Sequence, residues 1–378
     1  MNSLSQAHET ETSSPVWVLL GHKAGDNNQV MALAESLGAP FDEKHLRYRH
    51  SELLSNILLG PTLAGIPRQY RPQLTPPWPR LVISAGRRNE PVARWIRQQA
   101  NEPVRLVHVG RPWARPDRFD LIVATPQYAL EGHPNVIELD LPLHRISEAR
   151  LADAAEEWEP RMAALRQPRI ALLVGGDSGP FHLDPAKAGR LGREANQLAE
   201  SLNGSLMVTT SARTPRAAAQ ALSQSLTGQH FFFQWKPDSR ENPFLAFLAL
   251  ADRFIVTGES MSMLTEACAT RRPVYIFDMR DNGPDLRGSG RMIRLRANLR
   301  RMRSMLRYRA LTHRLAQLVA PQRLRRDVGR LHTRLVDSGR AVFLGETFPD
   351  SQPPPLPDIQ PATAEVLQLL TDPQKGGR

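Results

Sequence analysis

Short apolar runs recur along this chain, each followed by a small or polar turn and then by residues spaced as one face of a helix. Val16–Leu20 reads as a strand, Gly21–Asn28 as a loop, and Gln29–Leu37 as an apolar-periodic helix. Further strands are expected at Leu81–Ser84, Leu106–Val109, Leu121–Ala124 and Val136–Leu139, with a helix over Pro91–Gln99. A helical stretch from Ile146 to Leu165 and the Gln167-Pro168 break lead to a second series built the same way. Arg169–Val174 is a strand, Gly175–Pro180 a glycine-rich loop and Pro185–Leu202 a helix. Then come strand Ser205–Thr209, helix Pro215–Ser225, strand Phe231–Gln234 and a helix near Pro243–Leu250. Phe254–Phe277 closes the series as strand, turn, helix and strand. Strands alternating with helices predict parallel sheets wound by right-handed crossovers.

The chain has 378 residues, 41% of them apolar, enough for two cores. The expected division is a disordered segment 1–14, a first α/β domain 15–160, a second 161–290, and a basic helical region with a Pro-rich tail over 291–378. The one cysteine, Cys268, excludes an internal disulfide framework and a Cys-rich zinc site, and fits a reducing compartment. The opening MNSLSQAHETETSS has neither a basic start nor an apolar core, and no apolar run approaches the ~20 residues of a membrane span. A cytoplasmic protein, peripheral on the inner membrane face, is the expectation.

Net charge is +11, and it is unevenly placed: Arg287–Arg334 holds fifteen arginines with Asp327 as the sole acid. Met292, Leu295, Leu299, Met302, Leu306 and Leu315 recur there at helical steps, so arginine falls on one face and Leu/Met on the other. Such a helix suits an anionic membrane surface, with Arg300, Arg301 and Arg303 as contacts, or docks by its apolar stripe on its own protein. No aromatic interleaving accompanies the charge, which speaks against nucleic acid.

In an open parallel sheet, ligands bind at the carboxyl ends of the strands. The loops there are Gly21–Asn28, Ala85–Asn89, Gly110–Pro112, Gly175–Pro180, Thr210–Thr214 and Thr257–Ser260. The last opens the helix Met261–Ala269, whose N-terminal amides can take phosphate oxygens, with Glu266 inside the helix within reach of a ribose. A Ser-capped helix in an ordinary βαβ unit shows the same pattern.

The strings VLLGHKAGDNNQ, LVGGDSGPFHLD, TTSARTP, ENPFLAFLALADRFIVTGESMSMLTEA and RPVYIFD, spread over residues 15–285, resemble the mitochondrial-fission "elongated mitochondria" family. The layout is similar to the GT-B class of glycosyltransferases. Bacterial members of the family are treated as candidate glycosyltransferases, and plant members act in mitochondrial division. The resemblance implies two Rossmann-like parallel-sheet domains facing across a cleft. It implies a nucleotide-sugar donor held by the second domain, no metal or other cofactor, and an acceptor that is lipid-linked or a lipopolysaccharide. No Asp-X-Asp metal motif occurs in the chain.

Carried over by position, Gly175, Gly176 and Ser178 would meet the diphosphate through backbone amides. Ser211 and Arg213 would contact phosphate or base, and Ser260, Met261, Ser262 and Met263 would offer helix-terminal amides, with Glu266 on the ribose. His22 and Asp26 are the candidates for a general base in the first domain. Asp26 also reads as an N-cap, and Arg213 as a surface residue at a helix start. The family often carries a His-Asp pair after the strand matching Leu121–Ala124, where this chain has Pro126-Gln127-Tyr128. Two other readings stand beside transfer: a non-catalytic membrane-associated interaction protein on the same scaffold, and a sugar-nucleotide epimerase, which no catalytic constellation in the sequence supports.

Overall fold

The computed structural model describes residues 15–48, 60–179, 181–237, 239, 241–280, 327–357 and 359–371. The segment 1–14, the arginines Arg300, Arg301 and Arg303 and the amphipathic stretch around them lie outside the described residues. Two compact units divide the chain, the first within Met1–Thr125, Leu130–Leu139 and Asp358–Arg378, the second within Pro126–Ala129 and Asp140–Pro357.

Unit 1 holds strands β1 (Val16–Leu20), β2 (Phe41–His45), β3 (Leu81–Ala85), β4 (Arg105–Val109), β5 (Leu121–Ala124) and β6 (Val136–Glu138), in the order β2-β1-β3-β4-β5-β6, every pairing parallel. Helices α1 (Ala24–Ser36) and α2 (Gly86–Gln99) follow β1 and β3. The central strands β1, β3 and β5 are buried along their whole length, and so read as unbroken apolar runs. β2 escapes that rule. Its sequence, FDEKH, has no apolar run, yet it pairs with β1 from Val16↔Phe41 to Leu20↔His45. As an edge strand it needs ladder hydrogen bonds and one covered face, and the Lys44 ammonium lies 4.1 Å from the centroid of the buried Trp17 ring.

Both helices begin earlier than their periodicity predicts. α1 starts at Ala24, so the residues read as a loop after Lys23 are its first turn, and α2 starts at Gly86 with Pro91 inside it. Gly86 has φ +76°, a conformation natural to glycine, which lets the chain turn out of β3 directly into helix.

Unit 2 contains β7 (Arg169–Leu173), β8 (Ser205–Thr209), β9 (His230–Phe233), β10 (Arg253–Thr257), β11 (Val274–Phe277) and β12 (Val342–Phe343), ordered β12-β11-β10-β7-β8-β9, again all parallel. Its helices among the described residues are α3 (Glu148–Met162), α4 (Pro185–Ser201), α5 (Arg216–Ser225), α6 (Phe244–Leu250), α7 (Met261–Ala269) and α8 (Val328–Asp337). Alternate residues of the strands feed two cores. Ala171, Leu173, Met207, Phe254 and Val256 pack with α3, α6, α7 and α8 on one face. Ile170, Leu172, Leu206, Val208 and Ile255 pack with α4 and α5 on the other.

α3, counted by the sequence with the first half, belongs to unit 2, and the boundary read at residue 160 falls inside it. The last helix, α9 (Gln360–Thr371), belongs to unit 1, where Thr363 and Ser36 hydroxyls meet at 2.8 Å and Arg80 donates to the Leu370 carbonyl at 2.7 Å. Among the described residues no helix is long and apolar enough to cross a membrane.

A buried acid ties the far end of the first sheet. Asp120 accepts the Leu106 amide at 2.7 Å and pairs with Arg105 at 3.3 Å and with Arg97, whose pKa burial lowers most strongly. Removing the acid takes a buried carboxylate away from both guanidiniums, so Asp120→Ala is expected to cost about 3 kcal/mol in denaturant unfolding, and Asp120→Asn, which still accepts from Leu106, clearly less.

Candidate functional site

Each sheet reverses its winding once, and each reversal brings two loops together at the carboxyl edge. In unit 2 the neighbours are β7 and β10, adjacent in the sheet but distant in sequence. The loops after β7, β8 and β10 meet there through hydrogen bonds that define the site.

Gly175 donates its amide to Thr257 Oγ1 at 2.8 Å, and Gly176 donates to Glu259 Oε1 at 2.6 Å. Ser211 Oγ and Thr214 Oγ1 both donate to the Gly175 carbonyl, the latter at 2.5 Å. Asp177 N–H reaches the Arg213 carbonyl at 3.0 Å. The glycine pair is thus pressed between two other loops. A side chain at Gly175 would run into the Glu259 carboxylate, and one at Gly176, where φ is +142°, into the Arg213 backbone. Glycine is required here by close approach.

This gives the sequence-predicted amides a different use. Gly175 and Gly176 donate inside the protein, and Ser178 donates to the Phe181 carbonyl at 3.0 Å. In this structure their hydrogen bonds build the loop. Ser211 is likewise a loop clamp, its hydroxyl engaged with Gly175 and accepting the Arg213 amide at 3.2 Å.

Arg213 is the group left facing outward. Its guanidinium stands 3.5 Å from Glu259 Oε1 and donates to Ser260 Oγ at 3.2 Å, with 39% of the side chain exposed. Ser260 is the N-cap residue of α7 but makes no side-chain cap, its hydroxyl being turned to Arg213. The reading of Ser260 as an ordinary helix cap fails on this geometry. Met261 is buried, Ser262 and Met263 are half-buried, and Glu266 lies deeper in the helix at 5% exposure. The arrangement places a fixed cation against the positive end of a helix.

Sequence patterning passes over Glu259, which holds this together. Its carboxylate is wholly buried, and burial raises its pKa, opposed first by Arg213 and then by the Gly176 amide. The signal was present: an acid in a turn between two apolar strands has no water to face. His332 is a second such residue. From α8 its Nε2 lies 2.6 Å from the Gly258 carbonyl, locking the same turn.

In unit 1 the reversal lies between β1 and β3. His22 is exposed, its ring edge-on to Tyr48 with centroids 6.3 Å apart. Its pKa is lowered by desolvation, then by Arg88 and Lys23, with Asp26 opposing. Asp26 sits in the first turn of α1, where Lys23 occupies the N-cap, and pairs with the Lys23 ammonium at 3.7 Å. It is thus not the N-cap. Its carboxylate abuts Gly86 at the start of α2, a favourable place for negative charge. Asn27 closes the loop, accepting the Gly21 amide at 2.9 Å and donating back to its carbonyl at 3.0 Å. Pro126-Gln127-Tyr128 forms a 3-10 turn in which Gln127 is buried and its carbonyl accepts the Asp327 amide at 2.9 Å, so this turn is a packing element.

The Mitochondrial fission ELM1 family model matches residues 24–327. The chain belongs to that family. The mitochondrial fission protein ELM1 of Arabidopsis thaliana is 28% identical over 250 residues, covering 58% of this chain and 56% of the plant protein, so the match spans little more than half of that relative's length. Among solved structures, a glycosyltransferase from Rickettsia africae is similar over 97% of this chain and 100% of that one, with TM-score 0.45 and 10% identity. The UDP-GlcNAc 2-epimerase of Methanocaldococcus jannaschii is similar over 94% and 99%, with TM-score 0.47 and 12% identity.

Two outcomes are expected for this ELM1-family site. Gly175→Ala drives a methyl into the confined Glu259 carboxylate and is expected to lower stability by about 2 kcal/mol in denaturant unfolding. For Glu259 the sign follows from its raised folded pKa. Its contribution to stability is fully present below the unfolded value of 4.5 and is lost as pH rises through the folded value. The melting temperature of the wild type should therefore fall relative to Glu259→Gln as pH rises from about 4 toward neutrality.

Proposed function

We propose that this ELM1-family protein is a glycosyltransferase of GT-B type, binding a nucleotide-sugar in unit 2. One observation carries the reading. Arg213, held from beneath by the buried Glu259, stands beside the side-chain-uncapped N-terminus of α7 at the point where the sheet's winding reverses. A diphosphate suits that place, because guanidinium pairs two phosphate oxygens in a fixed fork and first-turn amides of Met261, Ser262 and Met263 add the helix dipole. Glu266 is assigned to the ribose.

In the reaction an acceptor hydroxyl forms a bond to the anomeric carbon as the bond from that carbon to the diphosphate oxygen breaks. The negative charge leaves on the nucleoside diphosphate, where Arg213 and the helix end stabilise it. The hydroxyl proton passes to a general base, for which His22 and Asp26 are the candidates. A lipid-linked or lipopolysaccharide acceptor accords with the fifteen arginines of Arg287–Arg334.

That same basic run and the plant relative's role in fission favour a second reading, an interaction protein recruited to an anionic membrane. Thermal unfolding with UDP, GDP, ADP, CMP and their sugar conjugates separates the two. A ligand that binds the native state at 100 times its Kd raises stability by about 2.7 kcal/mol. A selective shift is expected for one nucleotide family, lost in Arg213→Gln and in Glu266→Ala. No shift with any of them, together with binding to anionic vesicles that charge reversal at Arg300, Arg301 and Arg303 abolishes, would sink the transferase in favour of the second reading.

A further inference from the structure

We infer that the carboxyl edge of the unit 1 sheet is a second anion site, one that takes the phosphate group of a phosphorylated ligand on Arg87, Arg88, Arg111 and Lys23. Calling that ligand the acceptor rests on the transferase reading; the anion site does not.

Four cations come to this edge: Lys23 in the loop after β1, Arg87 and Arg88 in the first turn of α2, and Arg111 in the loop after β4. Three of them are laid on aromatic rings. The Arg87 and Arg111 guanidiniums lie 5.1 and 5.9 Å from the centroid of one indole, that of Trp113, and Arg88 lies 5.6 Å from the ring of Tyr48. Two like charges on one ring repel each other, and the ring quadrupole offsets part of that. A guanidinium attracted to a ring keeps N–H groups that can fork onto phosphate oxygens.

Two acids stand near these cations among the described residues. Asp26 pairs with Lys23 at 3.7 Å and abuts Gly86. Glu90 is wholly buried and takes the Trp113 and Ala114 amides at 2.7 and 2.8 Å. That carboxylate fixes the loop carrying the indole on which the two arginines stack. Excess positive charge is also felt by His22, whose lowered pKa owes its leading cause to desolvation and the next two to Arg88 and Lys23. The ring is therefore a built-in reporter of an anion arriving beside it.

The test follows the His22 ring resonances of the full chain by NMR while inorganic pyrophosphate is added. Pyrophosphate is expected to raise the His22 pKa, and to do so in Arg213→Gln as well, since that arginine belongs to the other unit. Affinity should weaken by about tenfold or more in Arg87→Gln/Arg88→Gln. Lys23→Gln, at an exposed position that a substitution leaves folded, should weaken it by a smaller factor. Phosphatidylcholine vesicles carrying phosphatidate form the second arm. A stronger response to them than to pyrophosphate identifies a lipid-borne phosphate, the reverse a soluble one, and either supports the site. An unmoved His22 in both arms, equal affinity in the double arginine variant, or tighter binding of a single-stranded oligonucleotide than of pyrophosphate overturns it. Should no nucleotide-sugar bind while His22 still answers to pyrophosphate, the transferase reading fails and this site stands.

Discussion

A carboxylate with no exposed surface needs compensation, and much of unit 2's carboxyl edge is arranged to supply it to Glu259. The Gly176 amide and the Arg213 guanidinium reach it from two different loops. For the amide to come so close, residues 175 and 176 must lack side chains. For the guanidinium to come so close, the Thr210–Thr214 loop must be drawn in, which Ser211 and Thr214 do by bonding the Gly175 carbonyl. A buried ion pair of this kind adds little net stability. What it contributes is a cation held in one place beside a helix end, ready before any ligand arrives.

The two units solve the problem of positioning cations differently. Unit 2 anchors Arg213 on a buried anion, so the charge outside is partly neutralised from within and one guanidinium face stays open. Unit 1 lays Arg87, Arg88 and Arg111 on Trp113 and Tyr48, whose rings orient without neutralising. The first arrangement favours a strong, directional contact. The second leaves a positive field around His22, whose pKa is lowered first by desolvation and then by Arg88 and Lys23.

Membership of the ELM1 family sets this chemistry beside a plant protein of mitochondrial fission, without requiring that both do the same thing. Function resides in sites carried by a fold, and one scaffold can keep its helix-end cation while altering a loop elsewhere. In the 3-10 turn Pro126–Tyr128 of this chain, Gln127 is buried and its carbonyl is tied to Asp327, so that loop serves packing.

The sequence by itself determined the α/β class and nearly every interior strand, because a strand buried on both faces must be mostly apolar and Val16–Leu20 or Ile170–Leu173 permit little else. It also determined which loops lie at the ligand edge, since parallel winding puts them there. It could not place β2, whose FDEKH owes its strand to a neighbour's ladder, nor return α9 to the first unit, because both depend on contacts distant in sequence. The roles within the site were decided by tertiary structure for the same reason. That the Gly175 and Gly176 amides donate to Thr257 and Glu259, more than eighty positions away in sequence, is visible only in the fold. Residue type states what a group can bond. Only the folded chain states what it already does.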